Sequence, residues 1–217
     1  MVESQIKMRR DVEVQTRRQV IVDATRRLVA ERGIEAASMD EIAAAVQYTR
    51  RTLYAYFKSR DEILLQVFSE DLADRWAVQQ VAVTEVETGL AKIVAWGESL
   101  FGYARERPSS VRLQAYWSFK GIDRAKINDA LFADFESLND ELTEGLRAIF
   151  RLGVADGTLR PDLKIDLSIS QFVYGLRTAI DRALSPGYSF ARFDAAEYVE
   201  YFLDLFTRGV RRQKESA

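Results

Sequence analysis

An all-α fold of about nine helices follows from three features of the sequence. Apolar residues recur at steps of three and four over most of the chain, the spacing that lines one face of a helix. No stretch alternates with the period of two that a half-buried strand needs. The three prolines, Pro108, Pro161 and Pro186, all fall where a helical stripe ends. Asp156-Gly157 could mark a hairpin, but it follows a long helical stripe and reads as a helix C-terminus.

The elements are expected in this order. A first helix covers 10–32 and closes at Gly33. Ser38 followed by Glu41 forms a capping box for a second, 39–46, in which the hydroxyl bonds the amide of the third residue and the carboxylate reaches back. Val46-Gln47-Tyr48 makes a turn, and Thr49 caps a third helix over 49–57. A fourth, 60–82, has no internal break and is expected to join head to body rigidly. Further helices are expected at 87–106, 109–119, 124–156, 165–184 and 194–212. In the longest, Ile127, Leu131, Phe135, Leu138, Leu142, Leu146 and Ile149 form one stripe. The expected domains are a three-helix N-terminal domain, 1–60, and a larger helical domain, 61–217.

Composition narrows the chemistry. Of 217 residues, 47% are apolar, enough for a core, and 29% are charged. Cysteine and histidine are both absent. That excludes disulfides, a cysteine zinc site, Ser-His or Cys-His nucleophile pairs and an imidazole base. No phosphate-binding glycine loop and no framed acidic pair occur, so the expectation is no enzyme, no cofactor and no metal. No apolar run approaches the roughly 20 residues that span a bilayer, and the N-terminus lacks a secretory apolar region. A cytoplasmic protein without a membrane partner is expected. Net charge is -2, yet residues 1–60 carry 12 basic and 8 acidic side chains, leaving 19 and 25 for the remainder. A basic head on an acidic body suits a chain whose N-terminal part meets a polyanion.

Residues 38–57 carry the chemistry for that contact. Ile42, Val46, Leu53 and Phe57 face inward at helical spacing. Arg50, Arg51, Thr52, Tyr54 and Tyr56 remain for the outer surface of a helix that begins at Thr49. An α-helix fits the major groove; arginine forks onto guanine, and a threonine methyl can lie against thymine. Tyr54 and Tyr56 can donate to phosphate, Lys58 and Arg60 suit backbone phosphates, and Ser38 with the amides beside it offers another phosphate contact. Two short helices with a tight turn also occur in many helical proteins, and either tyrosine could be core. The pattern alone leaves both readings open.

Residues 16–65, TRRQVIVDATRRLVAERGIEAASMDEIAAAVQYTRRTLYAYFKSRDEILL, resemble the N-terminal domain of the TetR/AcrR family of transcriptional regulators. The shared pattern is a first helix ending in Glu-Arg-Gly, then Ser-Met-Asp-x-Ile-Ala, Thr-Leu-Tyr-x-Tyr-Phe, and a Ser-capped Asp-Glu-x-Leu helix. The resemblance implies a helix-turn-helix DNA-binding domain in 1–60 and a ligand-binding and dimerisation domain in 61–217. It assigns Ser38, Arg50, Arg51, Thr52, Tyr54 and Tyr56 to DNA and Arg60 to phosphate. Two positions depart from the pattern. Gln47 stands where a turn glycine is usual, and Arg51 replaces a common glycine, which suggests a base preference richer in G·C. The lead-in with Lys7, Arg9 and Arg10 reads either as an arm to DNA or as a disordered tail.

Large rings and polar groups alternate through 87–184, and the resemblance implies a small-molecule inducer cavity among these helices. The residues expected to line it are Trp96, Arg112, Tyr116, Trp117, Phe135, Asn139, Phe172 and Arg177. The last two helices carry Phe172, Val173, Leu176 and Ile180, then Tyr198, Tyr201, Phe202, Leu205 and Phe206, with Gly175 and Ala179 permitting close approach. They are expected to form a homodimer interface, which the resemblance also implies. The expected function is a repressor released from a palindromic operator by an inducer. A DNA-binding architectural or cell-cycle protein on the same fold without inducer, an enzyme with a carboxylate site and an interaction module are the competing readings.

Overall fold

The computed structural model describes residues 2–184 and 193–213. Among them are nine α-helices: α1 (Val2–Arg32), α2 (Met39–Ala45), α3 (Arg50–Tyr54), α4 (Arg60–Thr84), α5 (Gly89–Glu106), α6 (Pro108–Lys120), α7 (Asp129–Ala155), α8 (Ile165–Leu184) and α9 (Ala195–Val210). Short 3-10 turns occupy Ile34–Ala36 and Arg124–Lys126. Extended pairing among the described residues is limited to one isolated antiparallel bridge, Leu159 with Arg211. The chain is all-α. The expected stop at Pro186 lies outside the described residues.

Three boundaries differ from expectation. The third helix ends at Tyr54, not 57, so Tyr56 and Phe57 lie in the turn beyond it. The first helix begins at Val2, not near residue 10, so Lys7, Arg9 and Arg10 are helical. Neither glycine nor proline interrupts residues 2–32, and the Arg17–Glu13 pair at 2.7 Å spans one turn. The seventh helix begins at Asp129, not 124. Asp123 caps a 3-10 turn through the Ala125 amide, Ile127 is extended, and Asn128 accepts from the Ala130 amide at 2.9 Å. Ile127 fits the helical stripe only because it is buried from an extended segment.

Packing divides the chain into two units, Met1–Leu72 with Ser109–Glu136, and Ala73–Pro108 with Ser137–Ala217. The expected division at residue 60 assigns 61–72 and 109–136 to the larger domain; packing groups them with the N-terminal helices. The reason is apolar contact. Ile63, Leu64 and Leu65 of α4, Leu113 and Trp117 of α6, and Leu131 of α7 complete a core built on Ile21, Val29, Ile42, Leu53 and Phe57.

The second unit has its own core, including Ile93, Trp96, Leu100, Phe150, Phe172, Leu176 and Leu203. The start of α5 lies against α7 so closely that a Cβ at Gly89 would fall 2.2 Å from the Gly153 Cα. Asp156 fixes that junction by accepting from the Gly89 amide at 2.7 Å and, through its other oxygen, the Thr158 amide at 2.9 Å. Desolvation opposes its charge, but the Thr158 and Gly89 bonds outweigh it and hold the carboxyl below the ordinary aspartate range.

Candidate nucleic-acid interface

Three short sequence signals build the helix-turn-helix. Ser38 caps α2, its Oγ accepting from the Glu41 amide at 3.2 Å. Gln47 carries the turn at φ 56, the left-handed region that glycine would occupy without strain. Thr49 caps α3, its Oγ1 accepting from the Thr52 amide at 3.1 Å and bonding the Thr52 hydroxyl at 2.8 Å. Ile42 and Leu53 are 0% exposed and Phe57 1%, so the inner face of the motif is committed to the core; Val46 packs against it half-buried.

The outer face carries the expected side chains. Arg50, Arg51, Thr49 and Lys58 are exposed, Tyr54 is 48% exposed, and Thr52 and Tyr56 are half-buried. Arg50 lies 3.3 Å from Asp40 and over the Tyr54 ring, with its guanidinium centre 5.8 Å from the centroid. A hydrogen bond with Tyr54 and the Asp40 charge both raise its already high pKa. Both partners of the Arg50–Asp40 pair are exposed, and such a pair is readily exchanged for phosphate or a base edge.

Not every expected contact residue is free. Arg60 donates from Nε to the Ala37 carbonyl at 2.7 Å, from a second nitrogen to the Ile34 carbonyl, and from a third to the Tyr116 hydroxyl at 3.2 Å. Its guanidinium ties the 3-10 turn to α4 and α6 rather than standing out for phosphate. Tyr56 lends its carbonyl to Arg18, and Lys58 reaches the Ile127 carbonyl at 3.5 Å.

Arg18 and Glu62 are structural members of the site that sequence reasoning missed. The Arg18 guanidinium donates to the Tyr56 carbonyl, covers Phe57 and lies 3.7 Å from Glu62. Glu62 is 1% exposed and accepts from the Lys58 amide at 2.7 Å, while Ser59 caps its own amide at 3.0 Å. The Ser59-x-x-Glu62 capping pattern marks Glu62; nothing local marks Arg18, whose partner is 38 residues away.

The eight expected ligand residues divide between the units. Arg112, Tyr116, Trp117 and Phe135 belong to the first; Trp96, Asn139, Phe172 and Arg177 belong to the second. Tyr116 is engaged in a polar network with Arg60, Asp61 and Lys120, and Arg112 and Asn139 are exposed. Phe135 packs at 5.9 Å from Phe68, and Trp117 is buried beside Tyr116. In the second unit, Trp96 and Phe172 are in ring contact at 5.4 Å.

The last two helices also differ from expectation. Phe172, Leu176 and Ile180 are buried in the second unit itself, and Gly175 makes room for the Phe202 ring of the same chain. The exposed set is Leu167, Tyr174, Tyr198, Tyr201 and Leu205.

A capped two-helix motif with an arginine-rich outer face, followed by a second helical core, is the architecture of a helix-turn-helix DNA-binding transcriptional regulator. Residues 21–67 match the family of bacterial regulatory proteins, tetR family. The HTH-type transcriptional repressor KstR2 of Mycolicibacterium smegmatis is 26% identical over 174 residues, 79% of this chain and 81% of that protein. The fatty acid metabolism regulator protein of Bacillus subtilis is 25% identical over 158 residues, 71% of this chain and 76% of that one. The TetR family regulator PfmR of Thermus thermophilus superposes with a TM-score of 0.64 at 25% identity, covering 88% of this chain and 99% of that one. The match to the tetR family is thus confined to the N-terminal helices, while the longer alignments make the chain similar to regulators of that kind. No helix among the described residues is long and apolar enough to cross a membrane.

Proposed function

We propose that this regulator is a cytoplasmic repressor that binds a palindromic operator as a homodimer and leaves it when a small molecule binds the second unit. The observation that carries the reading is the two-sided α3: Leu53 is fully buried while Arg50, Arg51 and Tyr54 on the same helix are exposed. A helix anchored from behind with forked donors in front suits the major groove. Thr49, Thr52 and Tyr56 flank that surface, Ser38 lies at the start of α2, and Lys58 follows α3 toward the phosphates.

The exposed rings and leucines of α8 and α9 support the dimer. Leu167 and Tyr174 are seven residues apart, and Tyr198, Tyr201 and Leu205 follow at steps of three and four, so each set forms one stripe. Stripes of this size are rarely left to solvent and pair well across a two-fold axis. A relative named as a repressor supports repression over activation. Release requires the ligand to prefer the non-binding state, because equal affinity for both states shifts nothing. Within the second unit, Trp96, Phe172 and Arg177 are the candidate ligand residues.

Footprinting on the DNA flanking the protein's own gene tests the reading. A protected two-fold-symmetric site is expected, and protection without symmetry would contradict the dimeric operator.

A further inference from the structure

Gln79 on α4 is fully buried, and neither its amide nitrogen nor its carbonyl oxygen has a hydrogen-bond partner. An amide carries two donors and an acceptor, and leaving both ends unmade in a dry core is unfavourable. Two further donors of the same unit share this condition, the Trp96 indole nitrogen on α5 and the Arg177 Nε on α8. α5 meets α8 through Trp96 and Phe172, and α4 meets α8 through Arg75 and Arg177. Trp96 packs on Phe172, and Arg177 follows Phe172 by little more than one turn. Arg75, one turn before Gln79 and 4% exposed, is close enough to act on the Arg177 charge.

The charge balance points the same way. Burial, then repulsion from Arg75, push the Arg177 guanidinium down to about 9, and no carboxylate is among the groups acting on it. Arg177 is half-buried with its Nε sealed from solvent, and an arginine so placed beside another arginine is destabilised unless an anion joins it. The surroundings are apolar: Phe172 lies 5.4 Å from Trp96, 4.9 Å from Phe206 and 6.3 Å from Phe150.

We propose that Arg177, Gln79 and the Trp96 indole receive the anionic head of a small molecule with an apolar body, inside the second unit. The inference rests on the reading of this protein as a ligand-released repressor and adds the chemical class of its ligand. Arg177 supplies a forked donor for carboxylate or phosphate, and Gln79 supplies donors for the remaining oxygens. Trp96 donates from the aromatic side and stacks on the body beneath it.

Isothermal titration of the full-length protein with decanoate, decyl phosphate and decanol tests this. At least one anion is expected to bind about ten-fold or more tighter than decanol. In Arg177→Met that preference disappears while decanol binding is kept, and Gln79→Leu weakens the anion several-fold. The unliganded Arg177→Met protein melts at the same temperature as wild type or higher, because a half-buried cation facing Arg75 is gone. The two anions distinguish a carboxylate from a phosphate ligand. Equal binding of all three probes, binding of none, or a preference that survives Arg177→Met overturns the proposal. Should Arg177→Met not fold, the wild-type preference and Gln79→Leu decide alone. Gel shifts without ligand separate the two readings: DNA binding without anion preference overturns only the ligand class, and absent DNA binding overturns the repressor itself.

Discussion

The Arg18 guanidinium lies 3.9 Å from the centroid of the Phe57 ring, so α1 holds down the chain as it leaves α3. The same side chain caps the Tyr56 carbonyl and lies near buried Glu62. Arg18→Ala removes all three contacts and leaves Glu62 without its cation. A loss of about 2 kcal/mol in urea unfolding is expected, with weaker DNA binding. Arg18→Lys recovers only part of it, because an ammonium cannot lie flat on the ring and fork to two acceptors.

Gln47 bears a left-handed backbone that glycine adopts freely. Gln47→Gly is expected to stabilise the protein by up to about 1 kcal/mol, and Gln47→Val to destabilise it by more than that. Thermal melts of the two variants check the sign. A less stable Gln47→Gly would mean that the Gln47 side chain contributes a contact that outweighs its backbone strain.

The exposed stripe on α8 and α9 predicts that Tyr174→Glu with Tyr201→Glu dissociates the protein. Sedimentation should read a dimer for wild type and a monomer for the variant, with Leu176 and Phe172 still buried and the helical circular dichroism unchanged. A dimer that persists at micromolar concentration in the variant would place the interface elsewhere.

Acid stability depends on Asp156. Its folded pKa lies below the ordinary 3.8, so its stabilising effect is present above that value and is lost as pH falls through the folded pKa. Asp156→Asn keeps one acceptor and loses the other, lowering the melting temperature at neutral pH by roughly 3 °C. The gap to wild type should close as pH falls below that range.

The helices, their caps and the buried Ile42, Leu53 and Phe57 were legible because the information is local: a three-residue capping spacing or a four-residue apolar step. Gln47 was legible only through the family resemblance, which puts a turn glycine at the position where the backbone is left-handed. Arg60 was not, because its three acceptors come from Ile34, Ala37 and Tyr116, and only tertiary packing brings them together. The apolar residues of α8 divide into core and surface by rotation about the helix axis. Phe172 and Leu176 turned inward and Tyr174 outward, a distinction the amount of apolar residue could not make. Trp96, Phe172 and Arg177 were named from composition, whereas Gln79 was hidden among ordinary helix formers on α4.

The most direct test of the account is binding of the full-length protein to the DNA flanking its own gene, measured across salt concentrations for wild type and for Arg50→Ala with Arg51→Ala. Wild-type affinity should fall steeply with salt, and the double variant should lose at least about a hundred-fold in affinity with a shallower salt slope. Unchanged affinity in the variant, or a flat salt response in wild type, would contradict the assignment of α3 as the helix that reads DNA.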